Sequence, residues 1–428
     1  MKIGFIGLGK LGLPCATCVA MKGHKVKGYD LDPSRMSHEP QPYQEAGPLG
    51  TGDFNDILGS QEVKRNLTFG TVEEVAHWAD IIFIAVQTPH DAQYEGVTRI
   101  PMERRDFDYT YLIKAVSELS KHLLERGSTA IVTIISTCLP GTMERCVLPL
   151  LPQNARLVYN PFFIAMGTTM RDFLDPEFVL LGGNDKEAMN ELEEFYKTLH
   201  DAPCVMMSLP SAELTKVTYN TFISFKIAFA NTVMEICDQI PDADCDDVVE
   251  ALMKGHRRII SPGYLHGGMG DGGGCHPRDN IAMSWLARKL GLSFDLFDAE
   301  MRCRERQADW LRIILSYHRN TTGLPVVILG YSFKPETNLT VGSPAILVQN
   351  LLKEEGVRPI MVDEHVNPDD KEWISIPAIY LIGCRHPEYA ERQFPDGSIV
   401  IDPHRYVCKQ LADVKVHRLG QGEPDAIK

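Results

Sequence analysis

The chain opens on Lys2-Ile3-Gly4-Phe5-Ile6-Gly7-Leu8-Gly9-Lys10-Leu11-Gly12, and this stretch decides the fold. Lys2 to Ile6 has the apolar composition of a short buried strand. Three glycines follow at GxGxxG spacing, and a helix-like run extends from them to about Lys22. His24-Lys25-Val26-Lys27-Gly28-Tyr29-Asp30 then reads as a second strand ending in an acid. Strand, glycine turn, helix, strand and acid together make a dinucleotide fingerprint in its required context. Gly7 permits the tight turn, Gly9 lets backbone approach a pyrophosphate, and Gly12 lets helix pack on strand. Gly7, Gly9, Leu11 and Gly12 are therefore the expected cofactor contacts of this loop, and the helix N-terminus attracts the phosphates. Asp30 is placed to accept from the ribose hydroxyls, which favours NAD over NADP. Arg35 lies close enough to blur that preference and joins the cofactor set.

Downstream, residues 36 to 60 are rich in Pro, Gly and acids and read as a loop region. Buried parallel strands are expected at Leu67-Gly70, Asp80-Val86, Ala130-Ile135, Arg156-Tyr159 and Phe178-Gly183. The second ends at Gln87-Thr88-Pro89 and the third at Ser136-Thr137, on the carboxyl edge where such sheets bind ligands. After Pro210 the pattern changes. Ser211 to Cys237 has few breakers and reads as one long, largely buried helix, capped by Ser211, with Glu213 suited to its positive end. Further helices are expected to Lys254 and from Asn280 to about His318. A second αβ series starts at Pro325-Gly330 and continues through strands near Pro359-Asp363, Ala378-Ile382 and Ser398-Asp402. The expected fold is α/β, with two Rossmann-like doubly wound domains joined by a central helical region that contains one long helix. The expected boundaries are 1–205, 206–318 and 319–428.

At 428 residues the chain is too long for a single core. A net charge of -14 argues against a nucleic-acid partner. No apolar run is long enough to span a membrane, and Met1 leads directly into a strand, so a cytoplasmic protein is expected. The eleven cysteines show no framework spacing. Cys15 and Cys18 form a CxxC on the first helix and read as packing, and no metal site is expected.

One stretch offers chemistry of a different kind. Gly272-Gly273-Gly274-Cys275-His276-Pro277-Arg278-Asp279 ends a glycine run on a thiol, with cations close in sequence that lower its pKa. Asp279 shares a face with Cys275 if a helix starts at Pro277. From this stretch alone, an inert buried cysteine in a glycine-rich turn is an equal reading. Lys216 and Asn220, four apart on the long helix, share a face. A lysine facing a core needs a partner or a task, although a snorkelling side chain at a domain edge is the plainer account.

These features resemble the nucleotide-sugar 6-dehydrogenases, the UDP-glucose/GDP-mannose dehydrogenase family, over nearly the whole chain and in the right order. The resemblance rests on Gly7-Pro14, Gln87-Thr88-Pro89, Ser136-Thr142, Ala212-Lys216 through Asn220, Gly273-Asp279 and Phe333-Lys334-Pro335. It implies oxidation of a sugar CH2OH to a carboxylate with two NAD. It further implies that Cys275 traps the aldehyde as a thiohemiacetal that becomes a thioester, while Lys216 and Asn220 stabilise the oxyanion. Asp279 would move protons through water, Thr137 would support that water, and Lys334 would meet the nucleotide or phosphates of the substrate.

Three departures mark a divergent member. The family's Pro-Glu-Phe-Leu-x-Glu is Pro161-Phe162-Phe163-Ile164-Ala165-Met166 here, so both glutamates are absent and Phe162 gives a less polar substrate pocket. Val341 stands where the family carries an arginine. The run from Gly263 to Gly272 is longer and richer in Gly and His than usual. A two-electron alcohol dehydrogenase acting on a related sugar or hydroxyacid is the alternative activity, and a non-catalytic nucleotide-sugar binder is a third reading. The apolar character of the long helix predicts at least a homodimer, because a helix apolar all round must be covered.

Overall fold

The structure is a computed structural model. It describes all residues except 44, 49–50, 90–105, 166, 239, 262–266, 270–274, 371–374, 411–412 and 421–428. For 224, 227, 228, 230, 231, 235, 238, 275, 276, 278, 279, 281, 282 and 285 it describes the backbone alone. The chain forms two compact units, Met1–Phe225 and Lys226–Lys428. The boundary falls inside the long helix, which runs from Leu209 to Asp238.

The first unit is built on β1 (Lys2–Ile6), β2 (Lys25–Tyr29), β3 (Leu67–Phe69), β4 (Ile81–Ile84), β5 (Ala130–Ile134), β6 (Ala155–Tyr159), β7 (Val179–Gly182) and β8 (Cys204–Met207). They form one sheet in the order β3-β2-β1-β4-β5-β6-β7-β8, parallel except where β6 meets β7. The strand order reverses beside β1, the switch point at which such sheets take their ligands. The central strands are apolar at nearly every position because helices cover both faces. Two hydrophobic clusters follow, one on each face. Sterics explain the glycine turn. Gly7 has a φ of 95°, and a Cβ on Gly12 would come within 2.0 Å of the Gly7 carbonyl oxygen. Cys15 and Cys18 are fully buried in the helix Gly12–Met21, and burial raises both thiol pKa values, as befits packing residues.

The second unit holds β9 (Val326–Leu329), β10 (Ile360–Val362), β11 (Ile379–Ile382), β12 (Ile399–Asp402) and β13 (Lys415–Arg418) in the order β10-β9-β11-β12-β13, all parallel. Its entry turn repeats the device of the first unit. Gly7 N–H donates to the Tyr29 carbonyl at 2.8 Å, and Gly330 N–H to the Val362 carbonyl at 2.7 Å. An acid at the end of the neighbouring strand then catches the next N–H: Leu8 to Asp30 at 2.6 Å, Tyr331 to Asp363 at 2.8 Å. Each acid also accepts from the residue two further on, Asp32 at 2.8 Å and His365 at 3.1 Å.

The two acids differ in what else they hold. Asp363 also accepts from Ser332 N–H at 2.8 Å and faces His386 Nε2 at 3.3 Å. Its four donors match the roughly four lone-pair sites of a carboxylate. The His386 ring is saturated as well, with Nδ1 accepting from Glu336 N–H at 3.1 Å. His365, His386 and Glu388 bring ligand-type atoms within 4.8 Å of one another. The two imidazoles are stacked at 4.3 Å, however, and the nitrogens of His386 are engaged, so the group does not fit a metal ion.

Four sequence expectations are corrected. Ser211 lies inside the long helix, which starts at Leu209, and Ser208 precedes it. The helix expected from Pro277 or Asn280 starts at Cys275 and stops at Leu290. Gly291, with φ 71°, and Asp295, which caps Leu296–Thr322 by accepting from Asp298 N–H, divide it from the next helix. The loop region contains a helix at Phe54–Leu58, capped by Asp53. The short edge strands β8 and β13 were not expected: β13 is mixed in polarity, and β8 is apolar but has no buried residue.

Burial pushes the Asp363 carboxyl pKa up, but the His386 ring and the backbone N–H donors outweigh it and hold it at about 2. Asp363→Ala should destabilise the second unit by about 3 kcal/mol, because four donors, two of them in buried bonds, lose their acceptor. Because the folded pKa is depressed, the stabilisation is present above the unfolded value near 4 and is lost as pH falls towards 2. Thermal unfolding of wild type and variant between pH 2 and 7 measures both effects. A variant as stable as wild type at pH 7 would remove Asp363 from its assigned place.

Candidate active site

A cleft of about 1570 Å³ crosses the carboxyl edge of the first sheet. Drug-sized pockets are commonly 300–1,000 Å³, so this one has room for a dinucleotide and more. One end is lined by Gly7, Gly9, Leu11, Asp30 and Arg35. The other is lined by Thr88, Ser136, Thr137, Phe162, Ile164 and Lys216. Gly12 stands behind the loop, where its contact with Gly7 is one of packing.

The phosphate end fits the expected cofactor. A Cβ on Gly9 would meet no atom nearer than Arg35 Nη1, at 3.1 Å, so this face of the loop is open. Arg35 is held over it by Asp30 at 3.8 Å and Asp32 at 3.4 Å. Among the described residues two N–H donors reach the Asp30 carboxylate, which leaves lone pairs for two ribose hydroxyls.

The far end is organised by the start of the long helix. Glu213 is fully buried, and its two oxygens accept from Gly141 N–H at 2.6 Å and Met143 N–H at 2.7 Å. Burial pushes its pKa up while these donors pull it down, and the balance is a raised value. This carboxylate ties the loop after β5, which carries Thr137, to the helix that carries Lys216. Thr88 Oγ1 donates to the Thr137 carbonyl at 2.8 Å and fixes the loop from its other side. Sequence reading took Glu213 only as a charge at the positive end of a helix. Its signal was an acid set between apolar residues near the helix start.

Lys216 is only 8% exposed. Its Nζ donates to the Phe162 carbonyl at 2.7 Å and lies 4.8 Å from the Phe163 ring centroid. Among the described residues no carboxylate pairs with it, and burial lowers its pKa. The Phe162 side chain packs toward Phe83 and Phe173, at centroid distances of 6.4 and 5.2 Å. Phe162 thus offers the cleft a backbone carbonyl and an apolar ring edge. Asn220, one turn on from Lys216, is exposed and does not line the cleft.

Cys275, Asp279 and Lys334 belong to the second unit. Cys275 is the first residue of its helix, with Asp279 one turn later, but both side chains lie outside the described residues, as does Met166. Lys334 is exposed, with Nζ 5.5 Å from the Phe333 ring centroid. Val341, in place of the family arginine, is exposed.

The NAD-binding domain of the UDP-glucose/GDP-mannose dehydrogenase family matches residues 1–200, and the central domain of the same family matches 210–305. The chain belongs to this family. It is 28% identical to UDP-glucose 6-dehydrogenase TuaD of Bacillus subtilis over 98% of this chain and 87% of that protein. It is 27% identical to GDP-mannose 6-dehydrogenase of Pseudomonas aeruginosa over 86% and 82% of the two chains. The crystal structure of a GDP-mannose dehydrogenase from the same organism shares the fold, with a TM-score of 0.84 at 24% identity over 97% and 99% of the chains. NAD is accordingly the cofactor of the first unit. Among the described residues no helix is long and apolar enough to cross a membrane.

Two measurements probe this cleft. Asp30→Asn keeps an acceptor for Leu8 N–H but removes the charge that repels a 2′-phosphate. The KM for NAD should rise about tenfold and that for NADP should fall, since the ribose loses a charge-assisted bond. Wild-type turnover equal with both cofactors would assign the choice to Arg35 instead. Lys216→Met should abolish turnover yet raise thermal stability by about 1 kcal/mol, because it removes a buried charge with no carboxylate partner among the described residues. A lowered melting temperature would contradict that account of the lysine.

Proposed function

We propose that the protein oxidises the primary alcohol of a nucleotide sugar to a carboxylate in two NAD-dependent steps. The observation that carries this reading is Lys216: a buried ammonium with no carboxylate partner among the described residues, lining a dinucleotide-sized cleft. Such a charge is unfavourable unless it stabilises negative charge that develops in the reaction. Family membership and the relatives named above support the same substrate class.

NAD accepts one hydride in each oxidation. In the first, the alcohol loses a hydride and its hydroxyl proton, and Lys216 stabilises the alkoxide on the way to the aldehyde. The Cys275 thiolate adds to the aldehyde carbon, and the oxygen takes a proton to give the thiohemiacetal. Loss of a second hydride and of that proton leaves a thioester. Water then adds, the carbon–sulfur bond breaks, and Cys275 recovers its thiolate as the carboxylate leaves. Asp279 moves the protons through water supported by Thr137, and Lys334 takes the nucleotide or its phosphates. Phe162 supplies the apolar wall of the sugar site, and its carbonyl orients Lys216.

The Phe162 position also keeps the two-electron reading specific, since the family glutamate that would serve hydrolysis is absent there. Two NADH per substrate and a product heavier by one oxygen and lighter by two hydrogens support the four-electron route. One NADH and a carbonyl product sink it. Cys275→Ser should lose carboxylate formation and keep NAD binding. Asp279→Asn should slow thioester breakdown more than its formation, so that quenched intact-protein mass spectrometry finds the sugar nucleotide on Cys275.

We also infer a homodimer built on the long helix. Phe222, Phe225 and Phe229 follow one another at three and four residues along it and are 49%, 53% and 39% exposed in the single chain. Light scattering should give a dimer at micromolar concentration, and Phe225→Glu should dissociate it. A wild-type monomer ends the claim.

A further inference from the structure

The turn at the carboxyl end of β9 carries Phe333-Lys334, and every bond that shapes it lies within the second unit. Its first N–H groups, of Tyr331 and Ser332, go to Asp363. Phe333 N–H donates to the Leu339 carbonyl at 2.9 Å and closes the loop. The Lys334 carbonyl accepts from Ser332 Oγ at 3.2 Å and from Thr337 Oγ1 at 3.3 Å. Two residues on, Glu336 has a φ of 57°, in the left-handed region that non-glycine residues avoid. Its N–H donates to His386 Nδ1 at 3.1 Å, and this bond offsets the strain.

His386 thus reaches both sides of Lys334. Nδ1 holds the backbone at Glu336, and Nε2 lies 2.9 Å from Ser332 Oγ, the hydroxyl that donates to the Lys334 carbonyl. The ring is fully buried and its own place is fixed. It stacks on His365 at 4.3 Å and meets the Tyr389 ring edge-on at 5.3 Å. The His386 carbonyl accepts from Tyr389 N–H at 3.0 Å, in the short helix Pro387–Ala390. Lys334, by contrast, is exposed at the edge of the sheet where open α/β domains meet their ligands.

We propose that His386 is a positioning residue for Lys334. A buried imidazole sets the backbone on which the exposed ammonium is mounted, so that the ammonium is aimed before a nucleotide arrives. Without the Nδ1 acceptor, Glu336 leaves the left-handed region and the segment from Ser332 to Glu336 loses its bracket. The inference rests on Lys334 meeting the nucleotide or its phosphates.

Two amide variants separate positioning from support of the fold. Glutamine places a donor near Nε2, toward Asp363 and Ser332, and nothing at Nδ1; asparagine places an acceptor near Nδ1 and nothing at Nε2. In His386→Gln, the Glu336 amide should exchange faster with deuterium in the unliganded protein. Calorimetry with UDP and with GDP should show the tighter of the two weakened about tenfold, the worth of one charge-assisted contact. The Kd for NAD and the melting temperature should hold. His386→Asn should do the reverse: nucleotide affinity stays, and the melting temperature falls because Asp363 loses a donor. Unchanged nucleotide affinity in His386→Gln overturns the proposal, as does unchanged exchange at Glu336. So does an equal loss of melting temperature and of both affinities in the two variants, which would make His386 a general stabiliser. Lys334→Ala that binds UDP and GDP as wild type does, or a wild type that binds neither, ends instead the nucleotide role of Lys334. That result is read independently of exchange at Glu336.

Discussion

The buried carboxylate of Glu213 is the contact on which the active site of the first unit depends. It sits in the second turn of the long helix and satisfies two N–H groups of the loop after β5, groups that would otherwise be orphaned at the start of the next helical turn. Burying a carboxylate is unfavourable unless donors meet it. Here the donors belong to a different segment, so the carboxylate is stabilised only when the loop and the helix are docked. That docking sets Thr137 on one side of the cleft and directs Lys216 toward the Phe162 carbonyl on the other.

The same arrangement explains how the chain tolerates the absence of the family glutamates. A carboxylate at residue 162 could pair with Lys216. With phenylalanine there, the ring turns into the apolar cluster around Phe83 and Phe173, and the backbone carbonyl remains as the lysine's acceptor. A neutral carbonyl neutralises less charge than a carboxylate. Lys216 therefore keeps more of its positive field unneutralised, and its burial lowers its affinity for a proton.

Most of the fold was legible in the sequence, for a physical reason. Parallel strands covered on both faces are short continuous apolar runs between breakers, and those at Ile81–Ile84, Ala130–Ile134 and Val326–Leu329 stand where the runs are. Two of the four edge strands escaped this rule: Lys415–Arg418 is mixed in polarity, and Cys204–Met207 is a four-residue apolar run with no buried residue. The cofactor end of the site was legible because glycines at a turn leave a steric trace. The clamps were not. Glu213 and Asp363 act on backbone atoms of distant segments, and a backbone N–H has no letter in the sequence.

The paired strand-end acids carry an evolutionary consequence. Asp30 supports its turn with half of its lone pairs and leaves the rest to whatever enters the cleft. Asp363 is saturated by Tyr331, Ser332, His365 and His386. An acid with spare capacity can change its ligand by small steps without endangering the domain that holds it. A saturated one cannot, because every substitution removes support from the fold first. Drift in cofactor choice is therefore open to the first unit at this position. The second unit must adapt to new substrates through its loops, with its strand-end acid unchanged.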